Sequence, residues 1–185
     1  MKNLCALLLL LTGLLISSHS VAQGSLAALN AKNGFRDAKL GMPVTQLKGI
    51  VRVYKVGNSS LYRRPNDKKS IGDIPLKDIR YMFYKGKLQE VTVSFDEKYT
   101  GEINQTLTTS YGNGGKEKYP VYGEWVTQKI RVRILAKNLL PDNPRTNWPC
   151  IQYTSIKLKE QEENENLEDL VKEMNSRPGK RQADL

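Results

Sequence analysis

The sequence predicts an α+β fold: a mainly antiparallel sheet built from hairpins, with two or three helices packed on one side. Three observations predict it. Ile79, Tyr81 and Phe83, then Val91, Val93 and Phe95, alternate with polar residues on either side of Tyr84-Lys85-Gly86-Lys87. Two alternating runs around a glycine turn make a β-hairpin. A second such pair runs from Tyr122 to Thr127 and from Ile130 to Ile134. Between them Ile103, Leu107 and Tyr111 recur every four residues, which is one face of a helix. Hairpins interspersed with single helices leave strands antiparallel and helices segregated from them.

The elements follow in order. Residues 1–22 read as a secretory signal. Lys2 supplies the positive start, Leu4 to Ile16 is apolar apart from Thr12 and Gly13, and Ser20-Val21-Ala22 carries small residues where a cut needs them. The apolar run is shorter than the roughly 20 residues a spanning helix needs. An uncut anchor is the alternative. Cys5 stands at the start of the run, where a lipidation signal would not place it.

A single α+β domain is expected over 23–158. Ser25 to Lys32 is Ala-rich and helical in character, and Gly34 to Leu40 reads as an entry strand. Pro43 starts and Gly49 ends a short helix over Val44 to Lys48. Ile50 to Val56 has strand character, and Gly57-Asn58-Ser59-Ser60 is a turn. Leu61 to Lys69 is basic, with a turn at Pro65-Asn66-Asp67. Thr100 suits the N-cap of the next helix, and Gly112 its end. Leu139 to Trp148 is a loop punctuated by prolines, and Ile151 to Leu158 a further strand.

Residues 159–176 form a charged amphipathic helix, and 177–185 a disordered tail. Leu167, Leu170, Val171 and Met174 fall at i, i+3, i+4 and i+7, an apolar stripe. Such a stripe most often docks on its own domain; a partner helix site is the alternative.

Export would remove Cys5 and His19, leaving Cys150 as the one cysteine and no histidine. A lone cysteine makes no internal disulfide, so a core must hold the fold. Cys150 reads as a core cysteine, with a reactive or intermolecularly bridged thiol as the sharper readings. Without histidine, the usual Ser-His-Asp and Cys-His arrangements cannot form. Zinc, which draws on several Cys or His ligands, is not expected, and no cofactor is called for. Asn113-Gly114-Gly115-Lys116 follows a helix rather than a strand and reads as a turn, not a phosphate loop. Glu90, Asp96, Glu97 and Glu124 remain as carboxylates from which a hydrolytic pair would be drawn.

Charge is uneven. Residues 24–156 hold 22 Lys and Arg against 11 Asp and Glu, whereas 157–185 hold 6 against 8. Two basic features stand out. Tyr62, Arg63, Arg64, Lys68 and Lys69 place an aromatic among cations, and Lys129, Arg131 and Arg133 share one face of a strand by period two. Together they suit an anionic surface polymer or a partner protein. A solvated sheet face paired with neighbouring acids is the plainer reading. Nucleic acid is not an expected partner of an exported chain.

Gly41-Met42-Pro43-Val44-Thr45-Gln46-Leu47-Lys48-Gly49, followed by the hairpin segment Tyr81 to Leu88, resembles a motif of uncharacterised exported bacterial envelope proteins. More distantly, residues 40–96 are similar to the small outer-membrane lipoproteins of the BamE (SmpA/OmlA) group. The resemblance implies helices on a small antiparallel sheet and a role in envelope assembly. This chain lacks that group's lipidation cysteine, is longer, and adds a second helix–hairpin passage and a tail. The sequence therefore points to an exported, non-enzymatic binding or envelope-assembly module. The alternative is a cell-wall or glycan hydrolase using paired carboxylates.

Overall fold

The computed structural model of the chain describes residues 24–115, 119–137 and 147–176. The expected signal at 1–22 and tail at 177–185 lie outside the described residues. The described elements are α1 (Leu26–Lys32), β1 (Gly34–Phe35), β2 (Ala38–Lys39), β3 (Val51–Val56), β4 (Ser59–Arg63), β5 (Ser70–Ile71) and β6 (Ile74–Tyr84). They continue with β7 (Lys87–Phe95), α2 (Thr100–Tyr111), β8 (Val121–Val126), β9 (Ile130–Leu135), β10 (Cys150–Ser155) and α3 (Ile156–Ser176). The α+β class read from the sequence is the fold observed.

The main sheet runs β3-β4-β6-β7-β10-β9-β8, with β5 added against β6. Every neighbouring pair is antiparallel. At the β6–β7 turn Lys85 and Gly86 both take positive φ, 47° and 75°. Two such residues in succession suit the two-residue turn that matches strand twist. After β7 the chain crosses through α2 to the far edge, makes the β8–β9 hairpin, and returns as β10 into the gap between β7 and β9.

Alternation gives the sheet two unlike faces. Tyr81, Phe83, Val91, Val93, Ile134 and Ile151 point to one side and are buried against Leu29 of α1 and Ile103, Leu107 and Tyr111 of α2. Each such side chain contributes about 1.5–3 kcal/mol when fully buried. Arg80, Glu90, Thr92, Arg133, Gln152 and Thr154 occupy the intervening positions and point to the other side.

Trp125 of β8 sits under the end of α2, and its Nε1 donates to the Gly112 carbonyl at 2.8 Å. A Cβ at Gly114 would meet Trp125 Cε2 at 2.9 Å, and one at Gly123 would meet its Cη2 at 2.9 Å. The indole thus occupies a slot walled by two glycines.

Several elements depart from the sequence reading. The expected strand over Gly34 to Leu40 is a two-stranded ribbon, β1–β2, that turns at Arg36 with φ of 56°. It closes because residue 34 is glycine: φ there is 151°, and a Cβ would meet the Ala38 carbonyl oxygen at 2.1 Å. The expected helix over Val44 to Lys48 is a single 3-10 turn, Val44–Gln46. Its first amide bonds outward, to the Gly86 carbonyl at 2.9 Å, which ties it to the β6–β7 turn. Ser59–Arg63, read as turn and basic connector, is strand β4, and β6 starts five residues before Ile79.

Thr100 is not the cap of α2 but its first residue, and its hydroxyl donates to the Glu97 carbonyl at 2.7 Å. Asp96 caps the 3-10 turn Glu97–Tyr99 instead. The last strand stops at Ser155, whose hydroxyl accepts the Leu158 amide at 3.4 Å in the manner of an N-cap. Strand therefore passes into helix without a loop, and α3 starts three residues before the predicted 159.

Helix α3 lies on the polar face, away from α1 and α2. Leu158 is buried. Glu162 accepts from Ser59 at 2.8 Å, from Gln89 at 3.0 Å and from Lys159 at 2.9 Å. One turn on, Glu165 accepts from the Tyr84 hydroxyl and pairs with Lys85 at 2.6 Å. These spacings of four and three define the docked side. Leu167, Leu170, Val171 and Met174 fall about half a turn away at 3.6 residues per turn. They are 61%, 57%, 48% and 73% exposed. The expectation that this stripe docks on its own domain is thereby corrected. The polar contacts of Glu162 and Glu165 orient the helix, and they turn the stripe outward.

Candidate functional site: a polar trough and a free helix face

The polar sheet face carries two hollows of about 420 Å³ and 410 Å³. Arg80 lines both. Strand positions explain the chemistry. On the central strands β7 and β10 the residues between core positions are Glu90, Thr92, Ser94, Gln152 and Thr154, all able to hydrogen-bond. On β9 the same positions are Arg131 and Arg133, and α3 closes one end with Lys159, Glu162 and Glu163.

A connected network crosses the floor of the second hollow. Arg133 donates to Gln152 Oε1 at 2.7 Å, and Gln152 Nε2 donates to Glu90 at 2.8 Å. The other Glu90 oxygen accepts from Thr92 at 2.8 Å. Burial pushes the Glu90 carboxyl above the usual carboxylate range, against the pull of the Thr92 and Gln152 hydrogen bonds. Glu162 shifts the other way. Burial opposes its charge, but hydrogen bonds from Lys159, Ser59 and Gln89 outweigh burial and hold it low. At the helix base the Lys85 and Tyr84 hydrogen bonds bring Glu165 down to about 2.

The basic residues singled out from the sequence divide into separate groups. Arg63 pairs with Asp78 at 2.9 Å. Arg64 forms two bonds to Asp37, both 3.0 Å, and lies 3.6 Å from Asp67. Both arginines and Lys69 line the first hollow. Tyr62 is not among them: its ring packs edge-on to Phe83 at 5.2 Å, on the core side. Lys68 is exposed, and its carbonyl accepts from Arg36 at 2.7 Å. Lys129 lies in the β8–β9 turn rather than on the strand, exposed, while Arg131 and Arg133 line the second hollow. Arg131 stands 3.5 Å from Glu124; Arg133 is bonded to an amide rather than an acid. Local acids therefore pair Arg63, Arg64 and Arg131, and these basic residues divide between two hollows.

The four candidate carboxylates do not converge. Glu90 belongs to the network, and Glu124 lies on β8 against Arg131. Their strands are three spacings apart, about 14 Å. Asp96 caps the turn after β7 and pairs with Lys77, and Glu97 pairs with Lys137. Sequence reasoning missed Arg80, Gln152, Thr154, Lys159 and Glu162. The period-two placement of Gln152 and Thr154 was a visible signal of a polar face; that this face is the middle of the sheet follows only from the insertion of β10.

Cys150 is a buried free thiol, and burial pushes it up to about 12. It is therefore a poor nucleophile. Among the described residues no three His, Cys, Asp or Glu side chains group as metal ligands, and no helix is long and apolar enough to cross a membrane.

The chain matches no family model, no curated protein and no solved structure.

Proposed function

We propose that the chain is an exported, non-enzymatic binding module that docks an envelope protein through the free side of α3. The observation that carries this reading is the outward stripe of Leu167, Leu170, Val171 and Met174 on a helix anchored by its opposite side. Anchoring fixes the direction of the stripe before any partner arrives, which lowers the ordering cost of association. Glu163, Glu168 and Glu173 accompany the stripe. The partner surface is accordingly an apolar groove rimmed by cations, the helix-in-groove mode. The exported setting rests on the N-terminal signal pattern and on the resemblance of residues 40–96 to envelope proteins of the BamE (SmpA/OmlA) group.

The test compares capture from envelope extract by the chain from Gln23 with capture by its Leu170→Asp, Met174→Asp double variant. Both side chains are exposed, so thermal stability should be unchanged. Affinity for the captured protein should fall at least about tenfold, as loss of two apolar anchors implies. Equal capture by both chains, or no capture by either, would sink the reading.

One observation favours a second reading, a cell-wall or glycan hydrolase. Glu90 and Glu162 line the same hollow, and their surroundings push the two carboxyls in opposite directions. Opposed shifts are what an acid and a base or nucleophile need. On this reading Glu90→Gln and Glu162→Gln each lower release of reducing sugar from cell-wall glycan by about 100-fold or more. Absence of any release by the unaltered chain would end it.

A further inference from the structure

Three residues that line the second hollow carry buried donors without a hydrogen-bond partner among the described residues. Thr154 is 6% exposed, and its Oγ1 has no hydrogen-bond partner among the described residues. The Nε atoms of Arg131 and Arg133 are likewise buried and unpartnered there. Strand register gathers these groups. Thr154 stands directly opposite Arg131, and Gln152 directly opposite Arg133, across the β9–β10 pair. Directly opposed residues on one face have Cβ atoms about 4.5–5.5 Å apart. All four line the hollow.

We infer that this corner of the trough binds an oxyanion, a carboxylate or phosphate group on a small hydroxyl-bearing ligand. Arg131 and Arg133 supply guanidinium N–H groups, and the Thr154 hydroxyl supplies a third donor. A guanidinium fork matches the spacing of two oxygens on such a group. Gln152 already accepts one N–H of Arg133 at 2.7 Å, which fixes the plane of that guanidinium without using its Nε. Arg131 Nε is 3.5 Å from Glu124, an ion pair too long to satisfy the N–H.

The acids of the hollow do not cancel this. Glu162 is held by Lys159 at 2.9 Å, and burial disfavours the charge on Glu90. Glu163 is exposed at the mouth. The hollow, at about 410 Å³, admits a ligand of sugar size. Its polar floor suits hydroxyl groups beside the anion. This site lies on the trough floor, independent of the outward stripe of α3.

The experiment follows the arginine Nε–H resonances of the chain from Gln23 by NMR. It titrates inorganic phosphate and glucuronate, with glucose as the neutral control and sodium chloride matched for ionic strength. The Arg131 and Arg133 resonances should shift and saturate with at least one oxyanion, and with neither control. Whichever oxyanion saturates at the lower concentration identifies the group. Thr154→Val, which keeps side-chain shape, should weaken binding several-fold, and Arg133→Gln about tenfold or more, the loss expected for one charged hydrogen bond. No shift with either oxyanion up to the order of 10 mM, where affinity is negligible, would overturn the proposal. So would shifts reproduced by sodium chloride, or unchanged in both variants. If Arg133→Gln does not fold, Thr154→Val decides.

Discussion

Trp125→Ala should destabilise the fold by about 4 kcal/mol, within the range for aromatic-to-alanine changes in cores. For a domain of this size that corresponds to a fall in Tm of about 8–16 °C. The indole is 1% exposed. Two losses combine: a large apolar volume, and the donor to the Gly112 carbonyl at 2.8 Å. The glycine walls make the site slow to collapse, since Gly114 and Gly123 bring backbone rather than side chains to the slot and have nothing to swing into the space. Chemical denaturation followed by circular dichroism measures it. A loss below about 1 kcal/mol would mean that the slot relaxes or that the indole does not fill it.

The second large effect is expected at Gln152→Leu. One amide links the Arg133 guanidinium to the Glu90 carboxylate, accepting from the first and donating to the second. Leucine has similar size but neither function. Two half-buried groups, the Arg133 guanidinium and the Glu90 carboxyl, would each lose a partner, and removing one side of such a bond costs about 1–3 kcal/mol per group left unsatisfied. Destabilisation of about 3 kcal/mol is the expected result. Adding Glu90→Gln to Gln152→Leu replaces the carboxyl that lost its amide donor with a neutral amide, and should restore part of the loss. If the double variant is no more stable than the single one, the cost lies in packing rather than in the network. A double-mutant cycle separates the two.

The class of fold was legible because each hairpin carries its own period. Ile79–Phe95 and Tyr122–Ile134 announce themselves through residues two apart, and turn chemistry at Lys85-Gly86 agrees. The short elements were not legible for reasons particular to each. The ribbon at Gly34–Lys39 depends on one backbone conformation that a glycine merely permits. The 3-10 turn after Pro43 depends on a bond to Gly86, some forty residues on. The cap at Ser155 sits inside an alternating run, so strand and helix share one pattern across the boundary.

The candidate site was legible only in part. Arg131 and Arg133 could be placed on one strand face from sequence. Their neighbours could not, because β10 arrives between β7 and β9 from more than fifty residues beyond β7. That insertion alone brings Gln152 beside both Glu90 and Arg133. The outward direction of the α3 stripe was equally hidden. An apolar stripe on an amphipathic helix ordinarily marks the buried side, and here Glu162 and Glu165 reverse that rule by finding Ser59, Gln89, Tyr84 and Lys85 first.

The two tryptophans of the chain stand in opposite surroundings. Trp125 is sealed in its glycine slot, whereas Trp148 lies 40% exposed at the edge of the trough, with the Lys77 ammonium 4.5 Å from its ring centroid. The intrinsic fluorescence therefore has two separable sources: a blue-shifted one that reports on the folded interior and a red-shifted, quenchable one at the rim of the hollow that Arg80 shares with its neighbour. Unfolding should move the Trp125 part of the emission spectrum, and a change confined to the first hollow the Trp148 part.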